Sequence, residues 1–301
     1  MPGPADRPPE PRPLVVLMAV RNRCEVTQAC LVELTSQLES STRAFHIVVV
    51  DDGSTDGTAQ MLAARPHVTA VPGSGDLYWG GAMRLAELTA QQQFPVFDRL
   101  WINDDAALAP DAIARVLAAA EQTGGTAILC GAFQDDVGET AYSGVRRRKG
   151  RWGRLPLVLE RVHPTAALQE VDAFNGNLVF VPGEVAERLA GVDPTFTHHW
   201  GDFDYGLRAR DHGVPVRLLP GYVGVTARNG LGGTWRDSAL PRRARWRLLR
   251  STKGFPPREK LVYLKRHAGP LWFLQWAGVY AVQAGRILST PRHAPSGEAR
   301  R

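Results

Sequence analysis

Three acidic clusters in this 301-residue chain have residue types and spacing suited to chemistry: Asp51-Asp52, Asn103-Asp104-Asp105, and His198-His199-Trp200-Gly201-Asp202-Phe203-Asp204. The first closes the β-branched run Ile47 to Val50, where Asp51 or Asp52 can hydrogen-bond the base or ribose of a nucleotide at a sheet edge. Asp52, Ser54, Asp56 and Gly57 also match the opening of an EF-hand loop, but the twelfth position is Ala63, where calcium needs a bidentate Glu. The plainer reading is a strand, a tight turn and a helix capped by Thr55 or Asp56. In the second cluster one carboxylate can ligate Mg2+ or Mn2+ while its neighbour accepts from a ribose hydroxyl; diphosphate oxygens and water then complete the octahedron. In the third, two adjacent histidines cannot both face one ion without strain, which argues against a hydrolytic metal centre. Asp202 is the candidate general base, a carboxylate whose pKa neighbours in an acidic cleft would raise. Read as structure alone, the same residues start a helix, with Asp202 as cap and Asp204 at the positive helix end.

Positioning these clusters takes alternating strands and helices. Leu14 to Val20 reads as a buried first strand rather than a signal core, because it is short and runs straight into Arg21-Asn22-Arg23. Leu31, Leu34 and Leu38 then recur at helical spacing before the strand Phe45 to Val50. A helix from Thr58, a strand Val68 to Val71, a helix Gly81 to Gln92, a strand Leu100 to Ile102 and a helix near Pro110-Asp111 continue the pattern. Residues 141–170 read as an irregular basic surface loop, after which a strand Leu178 to Val181, a helix Glu184 to Leu189, a helix start at Gly201-Asp202 and a strand Val214 to Leu219 follow. Such alternation predicts an α/β fold with a mostly parallel sheet between helices, ligands lying beyond the carboxyl ends of its strands.

With 44% hydrophobic and 22% charged residues the chain is globular, and three cysteines with no C-x-x-C pair fit a reducing compartment. The net charge of +6 is unevenly placed: residues 241–267 carry ten Lys/Arg against Glu259 alone, while residues 14–240 carry 20 basic and 26 acidic residues. That asymmetry argues against a nucleic-acid enzyme and for one basic end meeting an anionic surface. Gly269 to Gly285 is uncharged over 17 residues, shorter than the ~20 of a membrane span. Its Trp272, Trp276 and Tyr280 at helical spacing, with Gln275 and Arg286 on a polar stripe, predict a helix lying on a membrane; the alternative is a helix packed on the body or in a homodimer interface. The Pro-rich residues 1–13 and residues 291–301 read as disordered tails.

Taken in order and spacing, Val50-Asp51-Asp52-Gly53-Ser54-Thr55-Asp56, Asn103-Asp104-Asp105 and Gly201-Asp202 resemble the family-two inverting glycosyltransferases with the A-type nucleotide-diphospho-sugar transferase fold, over about Leu14 to Trp235. Gly75-Asp76-Leu77-Tyr78-Trp79-Gly80-Gly81-Ala82-Met83 and Phe174-Asn175-Gly176-Asn177 to Pro182 are similar to its bacterial surface-polysaccharide, rhamnosyltransferase-like branch. The chain departs from the pattern at Gly201, where Glu is usual, at Ala19-Val20-Arg21-Asn22, where Pro-Thr-Tyr-Asn is usual, and in having no His between Gly213 and Arg266 to act as a late metal ligand. Asn229, or diphosphate and water, would take that place.

The resemblance implies a three-layer α/β/α catalytic domain with a mixed, mostly parallel sheet over residues 14–240, followed by a helical appendage over 241–290. It implies transfer of a sugar from a nucleotide-diphospho-sugar, dTDP-rhamnose or a UDP-sugar, to a hydroxyl of a lipid-linked or polysaccharide acceptor, with Mn2+ or Mg2+ as cofactor. Asp202 would be the base and Asp105, with Asp104, the metal ligand. The donor would meet Arg21, Asn22, Asp51, Asp52, Gly80, Gly81, Asp104, Arg228 and Arg236, and the acceptor Asn175, Gly176, Asn177, His199, Trp200 and Asp204. The expected setting is the cytoplasmic face of a membrane, with no nucleic-acid partner. Two other classes compete. A silent sugar-nucleotide or glycan binder would need no base; a nucleotidyltransferase would need a Gly-rich phosphate loop, which Arg21-Asn22-Arg23 lacks.

Overall fold

The computed structural model describes residues 12–148, 156–226 and 231–289. Its strands are β1 (Leu14–Val20), β2 (Phe45–Asp51), β3 (Val68–Pro72), β4 (Asp98–Ile102), β5 (Ala107–Leu108), β6 (Ile128–Gln134), β7 (Thr140–Tyr142), β8 (Gly144–Arg147), β9 (Leu159–Arg161), β10 (Gln169–Val171), β11 (Ala173–Phe174), β12 (Leu178–Val181) and β13 (Val216–Val225). The helices are α1 (Cys24–Glu39), α2 (Thr58–Ala63), α3 (Tyr78–Gln93), α4 (Ala112–Gln122), α5 (Gly183–Leu189), α6 (Gly201–Asp211), α7 (Arg242–Leu249), α8 (Pro257–His267) and α9 (Trp272–Ser289).

The main sheet runs β10-β13-β6-β12-β4-β1-β2-β3, and β1, β2, β3 and β4 are mutually parallel. Alternate residues of β1 serve opposite faces, as the two-residue strand period requires. Leu14, Val16 and Met18 pack with Leu31, Leu34 and Leu38 of α1 and Ile113 and Val116 of α4; Val15 and Leu17 pack with Ala82, Met83 and Ala86 of α3 and Tyr205 of α6. The result is the three-layer α/β/α arrangement with a mixed, mostly parallel sheet that the alternation predicted.

Two parts depart from expectation. Residues 141–170 are not a plain loop: β7 extends the main sheet beside β6, and β8 forms a small second sheet with β9 and β11. β8 lies between β9 and β11; Arg146 Nε donates to the Glu170 carbonyl at 2.8 Å, Arg147 turns inward to the His267 carbonyl, and Arg148 pairs with Glu160 at 3.2 Å. Lys149, Arg151 and Arg154 of that run lie outside the described residues, as do the Pro-rich start and residues 291–301.

The second departure is α9. Trp272 and Trp276 pack inward against a cluster containing Tyr263 and Leu264 of α8. Trp276 Nε1 donates to the Pro257 carbonyl at 3.1 Å, Tyr280 Oη to the Phe255 carbonyl at 2.8 Å, and Gln275 brackets Leu157 with two hydrogen bonds. The aromatic rings predicted to meet a membrane are therefore the packing face. Trp276 and Tyr280 carry polar atoms that a buried aromatic must satisfy, and backbone carbonyls just before and at the start of α8 do so.

Candidate active site

The acidic clusters converge because of how α3 begins. Trp79, in its first turn, sends Nε1 to Asn103 Oδ1 at 3.1 Å. A Cβ at Gly176 would lie 2.6 Å from Trp79 Cζ2, so only glycine lets the turn after β11 close over the indole. Gly80 N donates to the Thr197 carbonyl at 2.7 Å, and a Cβ there would lie 2.1 Å from the Phe196 carbonyl oxygen. One tryptophan and two glycines thus draw together the ends of β4, β11, α3 and α6. Tyr78 and Trp200, beside these contacts, hold left-handed φ values of 54° and 64°, the backbone strain often found at functional sites.

At the end of β2, Asp51 Oδ1 accepts from Ser54 N at 2.9 Å, and its other oxygen makes none of the described hydrogen bonds. Asp52 does not fit a nucleotide contact. Its Oδ1 accepts from Gly75 N (2.8 Å) and Leu77 N (3.2 Å) and its Oδ2 from Tyr78 N (3.0 Å), so the carboxylate is spent on shaping the turn that starts α3. Arg21 donates to the Gly75 carbonyl, and Asn22 is engaged with Ser54 and Thr55. Gly80 and Gly81 face Phe196 and Leu77, which makes them packing glycines rather than donor contacts. The N-cap of α2 is Gly57 rather than Thr55 or Asp56; Asp56, one residue before it, accepts from Thr58 N at Oδ1 and from Cys24 N, at the start of α1, at Oδ2.

At the end of β4, Arg23 Nη1 bridges Asp104 Oδ1 at 3.1 Å and Asp105 Oδ2 at 2.9 Å. Burial drives the Asp104 pKa up to about 6; Arg23 opposes that rise and Asp105 adds to it. Among the described residues no three His, Cys, Asp or Glu side chains gather to hold a metal. Arg23 offsets one of the two negative charges, and Asp105 Oδ1, which makes none of the described hydrogen bonds, is the hard oxygen that would suit a divalent cation sharing its coordination with substrate phosphates. Arg23 was not singled out in the sequence. The parallel pairing of β1 with β4 places it beside Asp104, a relation that only the strand order reveals.

Asp202 opens α6. Its Oδ2 accepts from Gly176 N at 3.0 Å and its Oδ1 from Phe203 N at 2.8 Å. Desolvation pushes its pKa up to about 6 against these amides. Asp204, predicted to face an acceptor, is fully buried: Arg208 Nε (2.8 Å), Arg266 Nη1 (2.6 Å) and His267 Nε2 (2.9 Å) surround it. It joins α6 to α8. Asn175 Oδ1 accepts from Ser143 N at 3.3 Å, which draws it away from the cleft, and Gly176 acts on the base itself rather than on an acceptor. Asn177 is buried, and its Nδ2 has no partner among the described residues. Arg236 is exposed, 5.0 Å over the Trp235 ring, and no described hydrogen bond or ion pair joins its side chain to the acidic clusters. Arg228 and Asn229 lie outside the described residues.

The carboxyl ends of β2 and β4 carry Asp51 and the Asp104-Asp105 pair, and the Asp202 carboxylate, its pKa raised by burial, opens α6. The family model described as Glycosyl transferase family 2 matches residues 15–176, and the chain belongs to that family. Among solved structures it is similar to the mannosyltransferase PcManGT from Pyrobaculum calidifontis in complex with GDP-Man and Mn2+, at 19% identity and a TM-score of 0.48, over 92% of this chain and 76% of that one. No curated protein matches the chain.

Proposed function

We propose that this glycosyltransferase works by single displacement with inversion, and that Asp202 is the base. The acceptor oxygen attacks the anomeric carbon as Asp202 takes its proton, and the bond to the diphosphate breaks with its electron pair leaving on the nucleoside diphosphate. The observation that carries this reading is the Asp202 carboxylate, held by the Gly176 and Phe203 amides with its pKa raised to about 6. Mostly ionised at neutral pH, it is more basic than a free aspartate. Asp51 would take the ribose or base. Asp105 and Asp104 would hold Mn2+ or Mg2+, whose positive charge offsets that developing on the leaving diphosphate. Incubation with a panel of nucleotide sugars tests the reading: slow donor hydrolysis with one of them supports it, and none with any of them rejects it.

Asp105→Ala is expected to weaken metal-dependent donor binding about tenfold or more, the scale of one lost charged contact. Calorimetry with Mn2+ against chelator reads this, and donor affinity equal in both media for the wild type would remove the metal from the scheme.

We further propose that residues 14–240 carry catalysis and that residues 241–290 bring it to an anionic membrane, where a rhamnosyltransferase-like enzyme would meet a lipid-linked acceptor of surface-polysaccharide synthesis. No described helix is long and apolar enough to cross a membrane. What supports contact is the outer face of α9, where Leu271, Leu274, Val282 and Leu288 are exposed beside the exposed Arg243 and Arg247 of α7. Arg242 ties the two helices through the Leu288 carbonyl at 2.6 Å. Apolar side chains rimmed by arginines complement a surface of anionic headgroups. Vesicles rich in phosphatidylglycerol should retain the protein, less so in high salt, and Leu274→Ser with Val282→Ser should abolish the salt-resistant part. Indifference to vesicles together with a dimer that those substitutions dissolve would assign the face to a second copy.

A further inference from the structure

The turn that leads into Asp202 is rich in nitrogen bases. His198 and His199 have ring centroids 4.6 Å apart, and the Tyr78 ring closes on His198 at 5.8 Å. His198 Nδ1 is buried with no hydrogen-bond partner among the described residues. The exposed Lys253 is close enough to both imidazoles to matter: it disfavours a charge on His198, and its backbone hydrogen-bonds His199. From α8, Lys260 Nζ reaches over Trp200 at 4.8 Å and Tyr263 at 4.9 Å. Burial moves the Lys260 pKa down to about 8. The neighbouring Glu259 accepts from Thr197 Oγ1 at Oε1, 2.6 Å away, and keeps Oε2 buried with no partner among the described residues; desolvation raises its pKa toward the neutral form.

A half-buried ammonium on two aromatic faces gains some cation–π energy, yet without a counter-charge it remains poorly compensated. An imidazole nitrogen buried with no partner is likewise costly. Both deficits are met by one ligand that brings negative charge and several acceptor oxygens, and a phosphate does this. We propose that this cluster binds a phosphate group carried by the acceptor, through His198, His199, Lys253 and Lys260, while the acceptor hydroxyl reaches Asp202. The inference rests on the transferase reading with Asp202 as base and names the acceptor as a phosphorylated one. Burial holds the His198 pKa down at about 4 in the free protein, with His199 and Lys253 adding to the effect, so the imidazole is neutral there and meets the anion as a neutral hydrogen-bonding group.

The test is calorimetric titration of the full chain with inorganic pyrophosphate and with phenyl phosphate, the donor side first saturated with nucleoside diphosphate and Mn2+. The wild type should bind both probes saturably, and Lys253→Met with Lys260→Met should weaken them tenfold or more. Lys253→Met alone, at an exposed position that does not threaten the fold, should weaken them several-fold. Nucleoside diphosphate affinity, titrated separately, should change less than twofold in each variant. Probe binding that is absent in the wild type or unchanged in the double variant overturns the proposal, and so does nucleoside diphosphate weakening in parallel, which would give the cluster to the donor. Failure of the underlying reading looks different. If no nucleotide sugar were turned over while the phosphate pattern held, the transferase scheme would fall and the anion site would stand.

Discussion

Asp202→Asn lowers the rate of transfer by about 10²–10⁴-fold, the range for loss of a positioned general base, and leaves donor affinity almost unchanged. The amide retains one acceptor oxygen for Gly176 N or Phe203 N and turns its NH2 toward the other, so one of these two hydrogen bonds is lost along with the ability to take a proton. The donor contacts proposed above, at the ends of β2 and β4, do not use this side chain. The wild-type rate should rise with pH to a plateau above about pH 6, because desolvation lifts the Asp202 pKa to about 6 and only the carboxylate form is a base. Asp104 has a similar raised value, so the profile is best taken at saturating metal, where proton binding at Asp104 is displaced. Residual activity in the Asn variant should lack this limb. Turnover near normal, or an unaltered limb with donor binding lost, would move the base elsewhere.

Why the fold was legible in the sequence and the roles only partly so follows from what each depends on. Strand periodicity is local: Leu14 to Val20 alternates between two helical layers because adjacent strand residues face opposite ways, and no distant contact is needed to read it. Two of the acidic clusters were legible for the same reason, since they close parallel strands whose ends carry ligands, while the third, at the start of α6, was singled out by its residue types alone. The function of each carboxylate within a cluster depends on which amides and cations reach it through space. Asp51 and Asp52 are equivalent in sequence, yet three amides of the turn starting α3 saturate Asp52 and leave an oxygen of Asp51 open. Asp202 and Asp204 stand on one helix turn, and what separates them is α8, more than fifty residues later, whose Arg266 and His267 claim Asp204. Arg23 and Lys260 carried no signal of period or spacing; strand order places the first and helix packing the second. The α9 aromatics show the same limit, because helical spacing identifies a face without saying whether protein or membrane covers it.

Asp204→Ala should cost about 3–5 kcal/mol of stability, the scale for removing one partner from a buried ion pair, and should fail by unfolding rather than by poor acceptor binding. The loss falls mainly on His267, which is 1% exposed and loses its Asp204 contact, and on the junction between α6 and α8. Arg266 keeps Asp193 at 2.8 Å and Arg208 keeps the Gly191 carbonyl at 2.7 Å, which places the cost nearer the lower figure. Asp204→Asn, which preserves an acceptor without the charge, should fall between wild type and Ala. The pH dependence has a definite sign. Burial alone would raise the Asp204 pKa, but His267, Arg208 and Arg266 outweigh it and hold the carboxyl below its ordinary value. The stabilising contribution is therefore complete above the ordinary carboxylate range and disappears as pH falls through the lower folded value. Denaturant melts of the wild type should lose stability below about pH 4, and the Ala variant should lose less over the same interval, its carboxyl being already gone. A variant as stable as wild type but unable to use acceptor would return Asp204 to the cleft; one that melts early yet transfers normally at low temperature would make it the rivet through which α8 holds the helix bearing the base.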